Sequence, residues 1–119
     1  MRIEVWKNPF LASYIETALW SSTDDNGDPL DSLDIIELAD ETIERMQKDC
    51  DEFQKRMADA NIEVDGHIAH DFWLTRNHHG AGFWDGDYPE PQATQLTALA
   101  HMFGECDLYV GDDNKLYLS

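Results

Sequence analysis

The sequence predicts an α+β fold in which about three helices pack on a small antiparallel sheet. Apolar residues recur at three- and four-residue steps in the first half, whereas short runs of β-forming residues flank glycine-rich turns in the second half. The sheet is expected to consist of two hairpins, residues 72–76 with 82–85 and residues 107–110 with 115–118. The length of 119 residues suits a single domain over residues 1–119.

The net charge restricts the partners that the chain can have. It carries 25 Asp and Glu against 8 Lys and Arg, which gives a formal net charge of −17. A field of this sign repels nucleic acid and anionic membranes, and it attracts cationic surfaces such as the nucleic-acid-binding groove of a basic protein. Solubility or adaptation to salt would account for the same charge without any partner. The 42% of hydrophobic residues is typical of a globular protein.

The first helix is expected to begin at Asn8 and Pro9. Asn is a good helix cap, and Pro gives up no hydrogen bond at the first helical position. The apolar face of this helix is formed by Leu11, Tyr14, Ile15, Ala18 and Leu19. A turn-rich linker follows at residues 21–31, and its acids lack the spacing of an EF-hand. We therefore predict no specific calcium site there.

A long helix is predicted within residues 31–61, with Asp40 as the cap of its main part. Its apolar seam alternates steps of three and four residues and consists of Ile36, Ala39, Ile43, Met46, Cys50, Phe53 and Met57. We expect this seam to pack on the rest of the domain. A coiled-coil dimer would use the same spacing, so both a monomer and a dimer remain open.

The opposite face of the long helix carries acids placed four residues before bases. Such pairs support a helix by about 0.2–0.5 kcal/mol each, and here they are Glu41–Arg45, Glu44–Lys48, Asp51–Lys55 and Glu52–Arg56. Uncompensated charge is therefore densest around the helix start and the linker before it. This predicted acidic patch consists of Asp24, Asp25, Asp28, Asp31, Asp34, Glu37, Asp40, Glu41 and Glu44.

Aromatic residues and glycines are concentrated in residues 70–88. The run FWLT at residues 72–75 is rich in strand formers, and GFW at residues 82–84 would be the returning strand. A further helix is expected over residues 91–103, with Gly104 at its end. The tail then forms the closing hairpin.

Two stretches carry a resemblance to a known family, DFWLTRNHHGAGFWDGD at residues 71–87 and DLYVGDDNKLYL at residues 107–118. They resemble small acidic tailed-bacteriophage proteins of uncharacterised role, which share the motif DFWLTRN-x-HGAGFWD and a closing LYVGDD hairpin. The family has Gly where this chain has His78. The resemblance implies a phage origin and a setting in the host cytoplasm, and it brings no activity with it.

A small metal-dependent enzyme is one alternative function. Its ligands would come from His67, His70, His79 and Asp85, because imidazole and carboxylate groups bind zinc and iron. His67 and His70 precede a predicted strand, however, so the helical HExxH arrangement is missing. We therefore assign no metal and no cofactor.

Other chemistry is not indicated by the sequence. It contains no GxSxG nucleophile motif, and its glycines lack the spacing of a phosphate-binding loop. Arg76 is expected to be an internal salt-bridge partner rather than a phosphate clamp. Cys50 and Cys106 fall at apolar positions and are expected to be reduced core residues. We assign no catalytic residue, so the chain is not predicted to be an enzyme.

These features favour an acidic binding protein that inhibits a host nucleic-acid-binding enzyme or defence system. Its carboxylates would occupy positions where phosphates normally lie, as in DNA mimicry of the anti-CRISPR or anti-restriction type. The expected partner is a basic host protein, with no direct binding to nucleic acid or membrane. A second alternative is an interaction or regulatory module that does not mimic DNA and is anchored by exposed Trp73, Phe83 and Trp84.

Overall fold

The structure is a computed structural model that describes residues 8–23, 27, 30, 37–78, 82–83 and 88–119, with Glu37 described in its backbone alone. It confirms the α+β fold class. The described residues form four helices, α1 at Pro9–Ser21, α2 at Asp40–Asp59, α3 at Ile68–Arg76 and α4 at Gln92–His101. They form three strands, β1 at Glu37–Leu38, β2 at Leu108–Val110 and β3 at Lys115–Leu118.

The starts of α1 and α2 are stabilised in different ways. The Asn8 carboxamide accepts a 3.1 Å hydrogen bond from the Leu11 amide, which confirms the predicted cap. The prediction for α2 is wrong by one residue, because Ala39 is the cap and Asp40 lies at the first helical position. A carboxylate there still suits the positive end of the helix dipole.

The predicted apolar seam of α2 is confirmed in the described residues. All six of its described side chains are buried, namely Ala39, Ile43, Met46, Cys50, Phe53 and Met57. Ile36 lies outside the described residues. The seam packs against other elements of the same chain, since α2 contacts α1, α4 and β3. The helical period therefore correctly predicted which face of α2 lies in the core.

The sheet contains three strands in the order β1–β3–β2. Strands β2 and β3 form the predicted closing hairpin, with Tyr109 opposite Tyr117. Strand β1 pairs in parallel with β3, with Leu38 in register with Leu116. This parallel pair brings the start of α2 next to the hairpin, and it was not anticipated from the sequence.

The other predicted hairpin, residues 72–76 with 82–85, is wrong. Residues 68–76 form α3, and all six residues from Asp71 to Arg76 are buried. A helix buried on all sides has no polar face, so its sequence shows no helical period. A short apolar run of this kind cannot be assigned to a strand or a helix by periodicity. Residues 84 and 85 lie outside the described part of the chain.

One hydrophobic core connects the described elements, and α3 lies within it. Phe72 stacks on Phe53 of α2 at a ring-centroid distance of 4.1 Å and on Tyr14 of α1 at 5.2 Å. Cys50 and Cys106 are both buried free thiols in this core, as predicted. The described residues of the aromatic-rich stretch 70–88 therefore lie at the packing centre of the fold. Of the helices that the structure describes, none combines the length and apolar character needed to cross a membrane.

Candidate functional site

The predicted acidic patch is only partly covered by the described residues. Asp24, Asp25, Asp28, Asp31 and Asp34 lie outside them, and Glu37 is described only as part of β1. The remaining three residues, Asp40, Glu41 and Glu44, lie in the first turns of α2 and are all exposed. The structure therefore describes the side chains of this patch only at the start of α2.

Three of the four predicted acid–base pairs on α2 do not form ion pairs in the structure. Glu52 and Arg56 are paired at 3.1 Å. Arg45 instead donates a 3.1 Å hydrogen bond to the backbone carbonyl of Leu118 in β3. Within the described part of the chain, no salt bridge joins Glu41 or Glu44 to a base. Glu41 and Glu44 are therefore exposed carboxylates that form no ion pair with the bases predicted to neutralise them.

Backbone and side-chain hydrogen bonds hold the start of α2 against β3. The Ala39 amide donates to the Leu116 carbonyl at 3.1 Å, and the buried Thr42 hydroxyl donates to the same carbonyl at 2.8 Å. This contact places the first turn of α2 beside β3, and the charge of Glu41 is one of the smaller causes that raise the pKa of Tyr117. The acids at the helix start and the outer face of the hairpin therefore form one surface.

The acidic character continues into the turn between β2 and β3. Asp112 and Asp113 are both exposed there. The hydroxyl of Tyr117 donates a 2.6 Å hydrogen bond to Asp113 Oδ2. Hydrogen bonds from Tyr117 and from the Lys115 amide lower the pKa of Asp113, so this carboxyl is ionised at neutral pH. We call Asp40, Glu41, Glu44, Asp112 and Asp113 the acidic face.

Of the three proposed aromatic anchors, the two that the structure describes are buried. Trp73 is 1% exposed, and its indole N–H donates to the Ser21 hydroxyl at 2.9 Å. Phe83 is 0% exposed and stacks with Phe53 at 5.9 Å. Trp84 lies outside the described residues. Trp73 and Phe83 are therefore core side chains, and their prediction as partner anchors is wrong because their hydrophobic area is already used in folding.

Arg76 forms the buried salt bridge that the sequence predicted. Its guanidinium donates to Asp49 Oδ2 at 2.8 Å, to the Tyr14 hydroxyl at 3.0 Å, and to the carbonyls of Phe103 and Gly104 at 3.0 and 2.9 Å. Burial acts to lower its pKa, but the interactions with its neighbours outweigh burial and raise the pKa above the ordinary value. All of these donors are used inside the protein, so Arg76 is not available to bind a phosphate.

A second polar network surrounds Asp71 at the start of α3. Its Oδ1 is 2.9 Å from His70 Nδ1, and its Oδ2 accepts a 2.6 Å hydrogen bond from the Tyr88 hydroxyl. The Tyr88 ring packs so closely on Gly66 that a Cβ there would lie 2.8 Å from the hydroxyl oxygen. Gly66 also has a φ of +153°, which side chains rarely tolerate. The carboxylate of Asp71 thus connects the start of α3 with Tyr88, four residues before the start of α4.

The residues named as ligands for the alternative metal site are only partly described. The rings of His67 and His70 are 6.3 Å apart, while His79 and Asp85 lie outside the described residues. Elsewhere, His78 stacks on His101 at 4.6 Å. Over the described ranges, no group of three or more His, Cys, Asp and Glu is arranged to hold a metal ion. The described histidines therefore give no support to a metal centre.

A cavity of about 590 Å³ lies between the start of α1, the end of α2 and the loop before α3. Phe10, Met57 and Ile62 contribute apolar walls, and Gln54 and His67 contribute polar groups. The volume is in the range of small-molecule sites. Ten residues of α2 separate Gln54 from Glu44, about 15 Å along the helix axis. The cavity is therefore separate from the acidic face.

Sequence reasoning missed two residues on the outer face of the hairpin, Tyr109 and Tyr117. In the predicted strands they occupy the positions that alternate with Leu108, Leu116 and Leu118, which are buried. That alternation could have indicated that Tyr109 and Tyr117 lie on the outer face, because successive side chains of a strand point to opposite faces of the sheet.

The chain was compared with protein-family models, with curated proteins and with solved structures. None of the three comparisons found a match.

Proposed function

We propose that this protein is a phage-encoded acidic binding protein that acts in the host cytoplasm. It inhibits a host nucleic-acid-binding enzyme or defence system by presenting carboxylates to a cationic groove, as a DNA mimic of the anti-CRISPR or anti-restriction type does. The observation that carries the proposal is the acidic face, in which Glu41 and Glu44 are exposed without a paired base among the described residues.

The charge of the whole chain supports this proposal. At a net charge of −17, long-range attraction speeds encounter with a basic protein and disfavours encounter with nucleic acid. A groove that binds DNA does so through Lys and Arg side chains that neutralise phosphates and release the cations condensed on the DNA. A rigid array of carboxylates presents negative charge to the same Lys and Arg side chains.

The length of α2 also supports the proposal that the protein binds in a groove for DNA. A helix of 20 residues is about 30 Å long at 1.5 Å per residue. One turn of duplex DNA is about 34 Å long. A groove shaped for one turn of duplex is therefore long enough to accommodate α2, and its cations would contact the acidic face at the start of the helix.

The test is a capture experiment from bacterial lysate at low salt, followed by elution with duplex DNA. We expect the captured proteins to be nucleic-acid-binding proteins that both duplex DNA and high salt release, because DNA and the acidic face occupy the same groove. The purified partner should then lose activity when the protein is added. Retention of the partners in the presence of excess duplex DNA would contradict the proposal.

A pair of variants with the same charge change makes this test specific. Glu41→Gln with Glu44→Gln removes two charges from the acidic face, whereas Glu63→Gln with Asp65→Asn removes two exposed charges beyond the other end of α2. Each charge contact at a groove accounts for roughly one counterion in the salt slope. We expect the first variant to weaken binding about tenfold and the second to change it by less than about threefold. Equal losses would mean that net charge alone governs binding.

A further inference from the structure

The outer face of the closing hairpin carries an exposed pair of tyrosines. Tyr109 and Tyr117 lie opposite each other on β2 and β3, and their rings stack at a centroid distance of 6.0 Å with an interplanar angle of 30°. Tyr109 is 48% exposed, and Tyr117 is partly exposed. Neither ring belongs to the hydrophobic core. The fold therefore leaves a two-ring aromatic surface in contact with solvent.

Two contacts hold the Tyr117 ring in place. A Cβ at position 111 would lie 2.6 Å from Tyr117 Cε2 and 2.7 Å from Cδ2, so the ring can occupy its position only because residue 111 is Gly. At the other end of the ring, the hydroxyl donates to Asp113 Oδ2 at 2.6 Å. This hydrogen bond raises the pKa of Tyr117 to about 12 and keeps the phenol neutral. The Tyr117 ring is thus held in place before any partner binds, which lowers the entropic cost of association.

Carboxylates from two elements lie near Tyr117, and so does Arg45, which donates to the carbonyl of the next residue, Leu118. Asp113 contacts Tyr117 directly, and Glu41 at the start of α2 acts on the same hydroxyl. The one cation near Asp113 in the described hairpin is Lys115, which is exposed and lies opposite Glu37 in the strand register. The faces of aromatic rings attract cations, and nearby carboxylates strengthen this attraction. A second copy of this chain would bring another charge of −17 to the surface, which disfavours self-association here.

We infer that the Tyr109–Tyr117 pair binds an arginine side chain of the cationic partner, an inference that rests on the proposed function. The planar guanidinium stacks on the tyrosine face while its N–H groups donate to carboxylates of the acidic face. Arginine is favoured over lysine because a guanidinium is planar, is more weakly hydrated and has donors on both edges. The tyrosines supply selectivity for arginine, and the carboxylates supply attraction for any cation.

The test compares a peptide of about nine arginines with a lysine peptide of equal length, titrated calorimetrically at low salt. Tyr109→Leu and Tyr117→Leu should each weaken binding of the arginine peptide by about threefold to tenfold and change lysine-peptide binding by less than about twofold. Trp20→Leu is the matched control, because Trp20 is also 48% exposed but lies on α1. It should leave both affinities unchanged.

A second measurement does not depend on any variant. On titration of the wild-type protein with the arginine peptide, the ring resonances of Tyr109 and Tyr117 should shift more than those of Trp20. Unchanged tyrosine resonances at saturation would overturn the inference. So would tyrosine variants that bind the arginine peptide as tightly as the wild type.

The two proposals fail in different ways. If the tyrosine variants bind the arginine peptide normally, but duplex DNA still releases the captured partners, the tyrosine inference is wrong and the proposed function stands. If the arginine peptide needs the tyrosines but duplex DNA releases no captured partner, the arginine site stands and the nucleic-acid-groove partner is wrong.

Discussion

Arg76 of α3 illustrates how a single buried side chain connects distant elements of this protein. It is 4% exposed, and its hydrogen bonds reach α1, α2 and the segment after α4. A buried charge is tolerated only when its hydrogen bonds are complete. The sequence predicted an internal salt bridge for this residue, and the structure identifies Asp49 as its partner.

Arg76→Lys should lower the free energy of unfolding by about 3 kcal/mol, because breaking one partner of a buried pair typically costs 3–5 kcal/mol and lysine retains part of the contact. A single ammonium group cannot reach Asp49, Gly104 and Phe103 together. Urea denaturation measures the change. Arg56→Lys is the control, since this exposed pair should contribute about 0.5 kcal/mol or less. Equal effects of the two substitutions would contradict the structural role of Arg76.

At the scale of secondary structure, the contact between α2 and β3 determines the shape of the acidic face. The sequence predicts each of these elements but not their contact, because Ala39 and Thr42 bond to a carbonyl more than seventy residues away. In the same contact, the Arg45 guanidinium donates to the Leu118 carbonyl instead of forming an ion pair with Glu41. The parallel β1–β3 pair reinforces it.

Thr42→Val should lower the free energy of unfolding by about 1 kcal/mol, the usual net contribution of one buried hydrogen bond. Valine has nearly the shape of threonine, so the loss reports the hydrogen bond to Leu116 rather than a cavity. Thermal and urea unfolding measure it. Thr97→Val is the control, because the Thr97 hydroxyl bonds only within its own helix, to the carbonyl of Ala93. A Thr42 variant as stable as the wild type would show that the backbone contacts alone hold α2 on β3.

For the whole molecule, buried ionisable groups connect stability to pH. Burial raises the pKa of the Tyr14 phenol well above its ordinary value, even though Arg76 acts in the opposite direction. Burial also raises the pKa of the Cys50 thiol. Both groups therefore stay protonated in the folded protein at pH values where they ionise in the unfolded chain. The unfolded state then binds fewer protons than the folded state, so stability decreases as pH rises.

We expect full stability below about pH 8 and a progressive loss between about pH 8.5 and 11, where free thiols and phenols ionise. Each group contributes a slope of at most about 1.4 kcal/mol per pH unit. Urea midpoints across this range measure the loss. The variant with Tyr14→Phe and Cys50→Ala should be less stable at neutral pH but should lose less as pH rises. Parallel curves for this variant and the wild type would contradict the assignment.

The sequence by itself determined the features that depend on neighbouring residues along the chain. The cap at Asn8, the buried seam of α2 and the closing hairpin each follow from a local pattern, because hydrogen bonding or side-chain direction repeats with the period of the element. The net charge is likewise a property of composition.

Only the tertiary structure decided the features that depend on distant contacts. The run at residues 72–75 is helical, but the sequence does not show this. Because α3 is buried on every side, it has no polar face that would reveal the helical period. Trp73 and Phe83 are buried, whereas Tyr109 of the closing hairpin is exposed and Tyr117 is partly exposed. Glu41 forms no ion pair with Arg45, because Arg45 donates to a strand carbonyl from the other end of the chain. Long-range packing therefore decides which charges and rings reach the surface.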